Sequence, residues 1–141
     1  DLIKDNWGKY FYIRDVNKNI FWSAAYKPVM HPYDDFSVVH GLGYSTFTQT
    51  IEGIASELTV FVAADAPVEI FRLGLTNRGG ERRQLDVTSY AEWLLGFAPD
   101  EHRAHSPCEP RRVPLRIRVG PGGGAYPVSW SLPVRNGQSR V

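Results

Sequence analysis

Ser45-Thr46-Phe47-Thr48-Gln49-Thr50-Ile51, followed by Gly53 and then Leu58-Thr59-Val60-Phe61-Val62, decides the fold class. In the first run Phe47, Gln49 and Ile51 share one face, and Thr46, Thr48 and Thr50 share the other. That period of two is the mark of a strand, and threonine suits a solvated strand face. Gly53 breaks the run. In the second run Leu58, Val60 and Val62 alternate with Thr59 and Phe61, so both faces of this strand are partly covered.

The same pattern extends outward in both directions. Upstream, residues 10–14 and 20–22 are aromatic and β-branched around the turn-rich Asp15-Val16-Asn17-Lys18-Asn19, a hairpin signal. Pro28, Pro32 and Asp34-Asp35 make a loop. Residues 36–40 form a short strand, after which Gly41 and Gly43 permit a tight bend before Tyr44. Downstream, residues 63–67 turn the chain, and Phe71, Leu73 and Leu75 oppose Val68, Ile70 and Arg72. Asn77-Arg78-Gly79-Gly80-Glu81 reads as a hairpin turn, after which Leu85, Val87 and Ser89 alternate with Gln84, Asp86, Thr88 and Tyr90. No amphipathic helix of useful length interrupts the strands. Long strands joined by short polar turns predict an all-β, antiparallel sandwich.

Composition changes after about His105. Seven of the ten prolines lie at or beyond Pro99, every basic residue from Arg103 onward except the histidines is arginine, and Glu109 is the only acid there. Residues 120–124, Gly-Pro-Gly-Gly-Gly, follow neither strand nor helix logic. Only residues 113–119 alternate, with Val113, Leu115, Ile117 and Val119 against Pro114, Arg116 and Arg118, as an edge strand that tolerates proline would. An Arg, Pro and Gly bias is also what a shifted reading frame of a GC-rich gene yields. The expected division is therefore a partial sandwich at residues 1–105 and an irregular tail at 106–141, disordered or frameshifted.

A chain of 141 residues with a formal charge of +1 holds one domain or part of one, and its charge points to neither nucleic acid nor membrane. Cys108 is the single cysteine, which precludes an internal disulfide and fits a cytoplasmic setting. No apolar run is long enough to span a bilayer, and Asp1-Leu2-Ile3-Lys4-Asp5 is neither a signal peptide nor a methionine start, so an internal cut is expected. His31, His40, His102 and His105 lack metal-ligand spacing with the acids or the cysteine, and no metal is expected.

Several blocks in order, His40-Gly41-Leu42-Gly43-Tyr44, Glu57-Leu58-Thr59, Pro67-Val68-Glu69-Ile70, Arg72-Leu73, Leu75-Thr76-Asn77 and Tyr90-Ala91-Glu92-Trp93, resemble glycoside hydrolase family 94, formerly classed as a glycosyltransferase family. Tyr12-Ile13-Arg14-Asp15, Phe21-Trp22-Ser23 and Lys27-Pro28-Val29 match the same domain. The family comprises cellobiose and chitobiose phosphorylases and the phosphorylase-like region of cyclic β-1,2-glucan synthases. The resemblance implies a β-supersandwich of galactose-mutarotase type, here incomplete. It also implies a missing (α/α)6 barrel, which carries the general acid and most sugar and phosphate contacts, and homodimer contacts through the sandwich. The parent reaction would be inverting phosphorolysis of β-linked gluco-oligosaccharides, with inorganic phosphate as co-substrate and no cofactor. The chain alone is expected to be inactive.

No catalytic residue is assigned. Asp34-Asp35 reads as a solvated loop pair, and Glu57 and Glu92 sit within strand patterns. Four residues are carbohydrate-contact candidates: His40, Tyr44, Trp22 and Trp93. His40 beside Gly41 is either a substrate contact or a strand-end structural histidine. Tyr44 is either a sugar-stacking ring or a core-edge tyrosine. Relatives often carry an arginine two places after this tyrosine, where Thr46 stands here. Trp22 and Trp93, with Trp7 and Tyr26, form either a carbohydrate platform or core and interface filling. Three rival classes stay open: a free-standing carbohydrate-binding module, a mutarotase-like epimerase built on a His40–Glu57 or His40–Glu92 pair, and an interaction domain without a sugar role.

Overall fold

The structure, a computed structural model, describes residues 8–91, 111–120 and 126–133. The described residues form nine strands and no helix: β1 Lys9–Asp15, β2 Ile20–Ser23, β3 Asp35–Gly41, β4 Tyr44–Ile51, β5 Ile54–Val62, β6 Val68–Asn77, β7 Arg83–Ala91, β8 Arg111–Val119 and β9 Tyr126–Pro133. Two antiparallel sheets result, in the orders β2-β1-β7-β8 and β3-β4-β5-β6-β9. All-β sandwich architecture is thus what the period-two runs predict.

The turns follow local chemistry. Ile51 pairs with Ile54 across Glu52-Gly53, whose φ values of 52° and 79° are the left-handed pair of a type I′ hairpin. Asp15 closes the β1–β2 turn: its Oδ1 accepts the N–H groups of Asn17 at 2.9 Å and Lys18 at 3.0 Å. Asn77 shapes the β6–β7 connection, its Oδ1 accepting the Gly79 N–H and its Nδ2 donating to the Glu81 carbonyl. But β6 and β7 belong to different sheets, so residues 77–81 carry the chain from one sheet to the other and are not the hairpin turn their glycines suggested.

Alternation sends one set of side chains from each sheet into a shared interior. Phe11, Ile13, Trp22, Leu85 and Val87 come from the four-stranded sheet, and Ile51, Ile54, Leu58, Phe71, Leu73 and Leu75 from the five-stranded one. Phe11 meets Phe71 across the interior with ring centroids 5.0 Å apart. The Gln49 side-chain amide also bridges the layers, donating to the Ser23 carbonyl at 2.6 Å.

One ion pair lies inside this construction. Asp15 is fully buried, and its Oδ2 accepts from the guanidinium of Arg83, itself nearly buried. With Oδ1 committed to the turn, this carboxylate ties the β1–β2 hairpin to the start of β7, 68 positions away.

The edges carry the segments placed in the tail. β8 is the edge strand indicated by the alternation at residues 113–119, and it begins at Arg111. β9 was not anticipated. It pairs with β6 from Val68↔Pro133 to Leu75↔Tyr126. Val128, Trp130 and Leu132 alternate with Pro127, Ser129 and Ser131, but eight residues bounded by prolines are too short and too interrupted to stand out without the partner strand. The tail thus contributes one edge strand to each sheet, so within these two segments its backbone is regular.

Removing one partner of the buried pair should strand the other charge. Asp15→Ala is expected to destabilise the fold by about 3–5 kcal/mol, read by urea unfolding. A loss below about 1 kcal/mol would mean that the pair is not buried in solution.

At the β7–β8 junction Arg116 donates from Nε to Asp86 Oδ1 at 2.7 Å and from NH2 to Oδ2 at 3.1 Å. This hydrogen bonding from Arg116 holds the Asp86 carboxyl below its ordinary 3.8. A depressed carboxyl contributes its stabilisation above the unfolded value and loses it as pH falls through the folded one. Amide protection along β8 should therefore weaken below about pH 3.8 in a way that Arg116→Gln abolishes. The contribution is small, because Arg116 is largely exposed. A profile unchanged by the substitution would remove the pair from the account.

Candidate functional site

The β3–β4 hairpin and the open ground beside it are where the sequence candidates meet the structure. Gly41 pairs with Tyr44, leaving Leu42-Gly43 as a two-residue loop. Gly43 has φ +84° in open surroundings, so its requirement is conformational. Gly41 has the opposite requirement. A Cβ placed there would fall 2.2 Å from two ring atoms of Tyr44, so the tyrosine ring lies directly over the glycine backbone.

Tyr44 is 45% exposed and offers a ring to solvent. His40 is also exposed, with Nδ1 at 2.9 Å from Ser45 Oγ and its ring edge-on to Phe47 at 6.5 Å. The successive pairs His40↔Ser45 and Gly41↔Tyr44 alternate, so the two candidates belong to opposite faces of the sheet although only three residues separate them. An open cavity of about 560 Å³ lies beside the hairpin. Its lining includes Tyr44, Phe47, Val60, Phe71 and the ion-paired Lys9 and Glu69, but not His40.

Trp22 is corrected to a core residue. It pairs with Ile13 on the inner face and is 1% exposed, so it has no ring face to offer a sugar. Trp93 and Glu92 lie outside the described residues, as do Trp7, His102, His105 and Cys108. Tyr26 is half-buried and packs with Tyr33 and Phe36, the three centroids 5.4–5.6 Å apart. Asp34 and Asp35 are exposed, as a loop pair should be.

The histidine–glutamate arrangement of an epimerase is not assembled from His40 and Glu57. The register His40↔Ser45↔Val60 places the histidine with the inner set, whereas Ser37↔Thr48↔Glu57 places the glutamate with the outer set. Among the described residues no group of three or more His, Cys, Asp or Glu side chains could hold a metal. No described helix is long and apolar enough to cross a membrane.

Tyr10, Tyr12 and Tyr90 were missed as a group. Their rings cluster with centroids 6.2–6.4 Å apart on the outer face of β1 and β7. The i, i+2 spacing of Tyr10 and Tyr12 was legible, but the register Tyr10↔Tyr90 that completes the set was not.

A family model described as the glycosyl hydrolase 94 supersandwich domain matches residues 1–108. The chain belongs to that family. Solabiose phosphorylase from Paenibacillus borealis is 39% identical over 103 residues, which is 72% of this chain and 13% of that protein. N,N′-diacetylchitobiose phosphorylase from Vibrio furnissii is 29% identical over 107 residues, 74% of this chain and 13% of that protein. Cyclic β-(1,2)-glucan synthase NdvB from Rhizobium meliloti is 33% identical over 97 residues, 69% of this chain and 3% of that protein. The chain thus spans about an eighth of the length of the two phosphorylases it matches.

Two neighbouring glycines should respond differently to alanine. Gly43→Ala is expected to cost about 1 kcal/mol from positive φ alone. Gly41→Ala should be close to neutral by thermal unfolding, because the clashing atoms are the far end of a side chain. It should nonetheless displace the Tyr44 ring, seen as loss of ring-to-Gly41 nuclear Overhauser contacts. An undisplaced ring would contradict the geometry.

Proposed function

We propose that this chain is the non-catalytic, carbohydrate-associated sandwich segment of an inverting sugar phosphorylase that acts on β-linked gluco-oligosaccharides with inorganic phosphate. The observation that carries the reading is the supersandwich match over residues 1–108, in relatives whose names are those of phosphorylases. The geometry supports the division of labour. Among the described residues the exposed acids Asp34, Asp35 and Glu57 are not set against an acid–base partner, and His40 engages Ser45. In this reading the sandwich supports a helical barrel, shapes the approach of substrate and contributes to a homodimer in the cytoplasm. The β3 edge, with Val38 and Val39 exposed, is a suitable contact surface. His40 and Tyr44 remain the proposed sugar contacts, on the two faces of one hairpin.

A second reading, a carbohydrate-binding module acting by itself, is favoured by the tyrosine cluster on the outer face of β1 and β7. Both readings predict that the purified chain, mixed with cellobiose and inorganic phosphate, releases no glucose 1-phosphate; turnover would overturn them. Calorimetry with β-gluco-oligosaccharides separates the two. Binding by the isolated chain that Tyr12→Ala removes favours the module, and no binding favours the dependent segment.

A further inference from the structure

Gly74 occupies the interior of β6, a ten-residue strand paired on both sides, by β5 and by β9. Glycine weakens such a position, because it loses more chain entropy on ordering and packs no side chain. Nothing among the described residues demands it. Its φ is outside the left-handed region, and an added Cβ would meet only the Glu57 carbonyl oxygen, at an ordinary 3.9 Å. The missing side chain instead opens a trough of about 230 Å³ on the outer face of the five-stranded sheet. Its lining includes Thr48, Glu57, Arg72, Thr76 and Arg78. The register explains the grouping: Thr48, Glu57 and Gly74 form one row across β4, β5 and β6, with Arg72 and Thr76 one step away on either side of Gly74.

Chemistry selects the occupant. Lys9, Lys18, Arg83 and Arg116 each hold a carboxylate, whereas neither Arg72 nor Arg78 forms an ion pair with a described one. Among the described residues the Arg78 guanidinium makes one long contact, from Nη1 to Thr50 Oγ1 at 3.4 Å. A peptide cannot add as a strand here, since both edges of β6 are taken, so a ligand approaches the face. Guanidinium groups grip carboxylate or phosphate through paired N–H donors, and the threonine hydroxyls and Glu57 can exchange hydrogen bonds with a polyol. The space suits one ring.

We infer that the trough over Gly74 binds a hexopyranose unit carrying a carboxylate or a phosphate, held by Arg72 and Arg78. The inference does not depend on the phosphorylase reading, because it concerns a row of the sheet four residues from the Tyr44 row and needs no turnover.

Nitrogen-15 chemical-shift titration of the 141-residue chain tests it, with glucuronate, glucose 1-phosphate, glucose and inorganic phosphate as separate probes. Glucuronate or glucose 1-phosphate should shift the Glu57, Gly74 and Thr76 amides and the Arg72 and Arg78 Nε–H signals; whichever binds more tightly names the anionic group. Glucose and inorganic phosphate should bind at least about tenfold more weakly. Gly74→Val should abolish binding while leaving the thermal midpoint unchanged or higher, because valine suits a strand and fills only the trough. Arg72→Gln should weaken binding about tenfold without unfolding the chain. The inference falls if neither acidic sugar moves these signals, if glucose or phosphate alone binds as tightly, or if Gly74→Val still binds. It falls equally if Gly74→Val lowers the midpoint, since the fold itself would then require the glycine.

Discussion

Phe11 against Phe71, at the meeting of the two inner faces, is the contact on which the architecture turns. Neither sheet has a covered face without the other. Ile13, Trp22, Leu85 and Val87 supply one side of the interior and Ile51, Ile54, Leu73 and Leu75 the other, all almost fully buried. Burial of this kind is non-directional, so it fixes that the sheets stack and leaves their alignment to polar links. Two links across the layers do that work, Gln49 to the Ser23 carbonyl and Lys9 to Glu69, and within the four-stranded sheet a third joins Asp15 to Arg83. The last also anchors a turn and carries two charges out of water, so it specifies geometry more than it adds stability.

Coverage of the interior is uneven. Toward the β3–β4 hairpin tip the five-stranded sheet keeps inner-set residues open, with Val38 and Val62 exposed and Val60 half-buried. The cavity lined by Phe47, Val60 and Phe71 is the visible result. The outer faces differ from each other. The four-stranded sheet presents Tyr10, Tyr12 and Tyr90, and the five-stranded sheet presents threonines, arginines and Glu57 around Gly74. Two surfaces of such different chemistry on one small sandwich suit distinct neighbours, an aromatic-compatible one and a hydroxyl-rich, anionic one.

Much of the strand layout was legible. Phe71, Leu73 and Leu75 were assigned to one face, and all three are buried. The hairpin at residues 15–19 followed from turn residues whose preferences act within a few positions, whereas Asn77-Arg78-Gly79-Gly80-Glu81 read as a hairpin and instead connects the two sheets. Tyr44 was singled out beside two glycines, and its ring does lie over one of them. Trp22 went the other way. Aromatic character alone does not distinguish a sugar platform from a core filler, and its pairing with Ile13 decided for the core. β9 escaped notice because its alternation is short and proline-bounded and becomes a strand only against β6.

Local alternation and turn chemistry were thus enough to determine most of the strands, the β1–β2 hairpin and the all-β class, because side-chain period and turn residues are properties of neighbours in the chain. Tertiary structure alone decided that β1 pairs with β7, that Asp15 meets Arg83, that His40 and Glu57 fall in opposite sets, and that Gly74 opens a trough between two arginines. These depend on register between segments distant in sequence. A slip of one residue exchanges the faces of a strand, and only the burial of the whole interior selects among the possible registers.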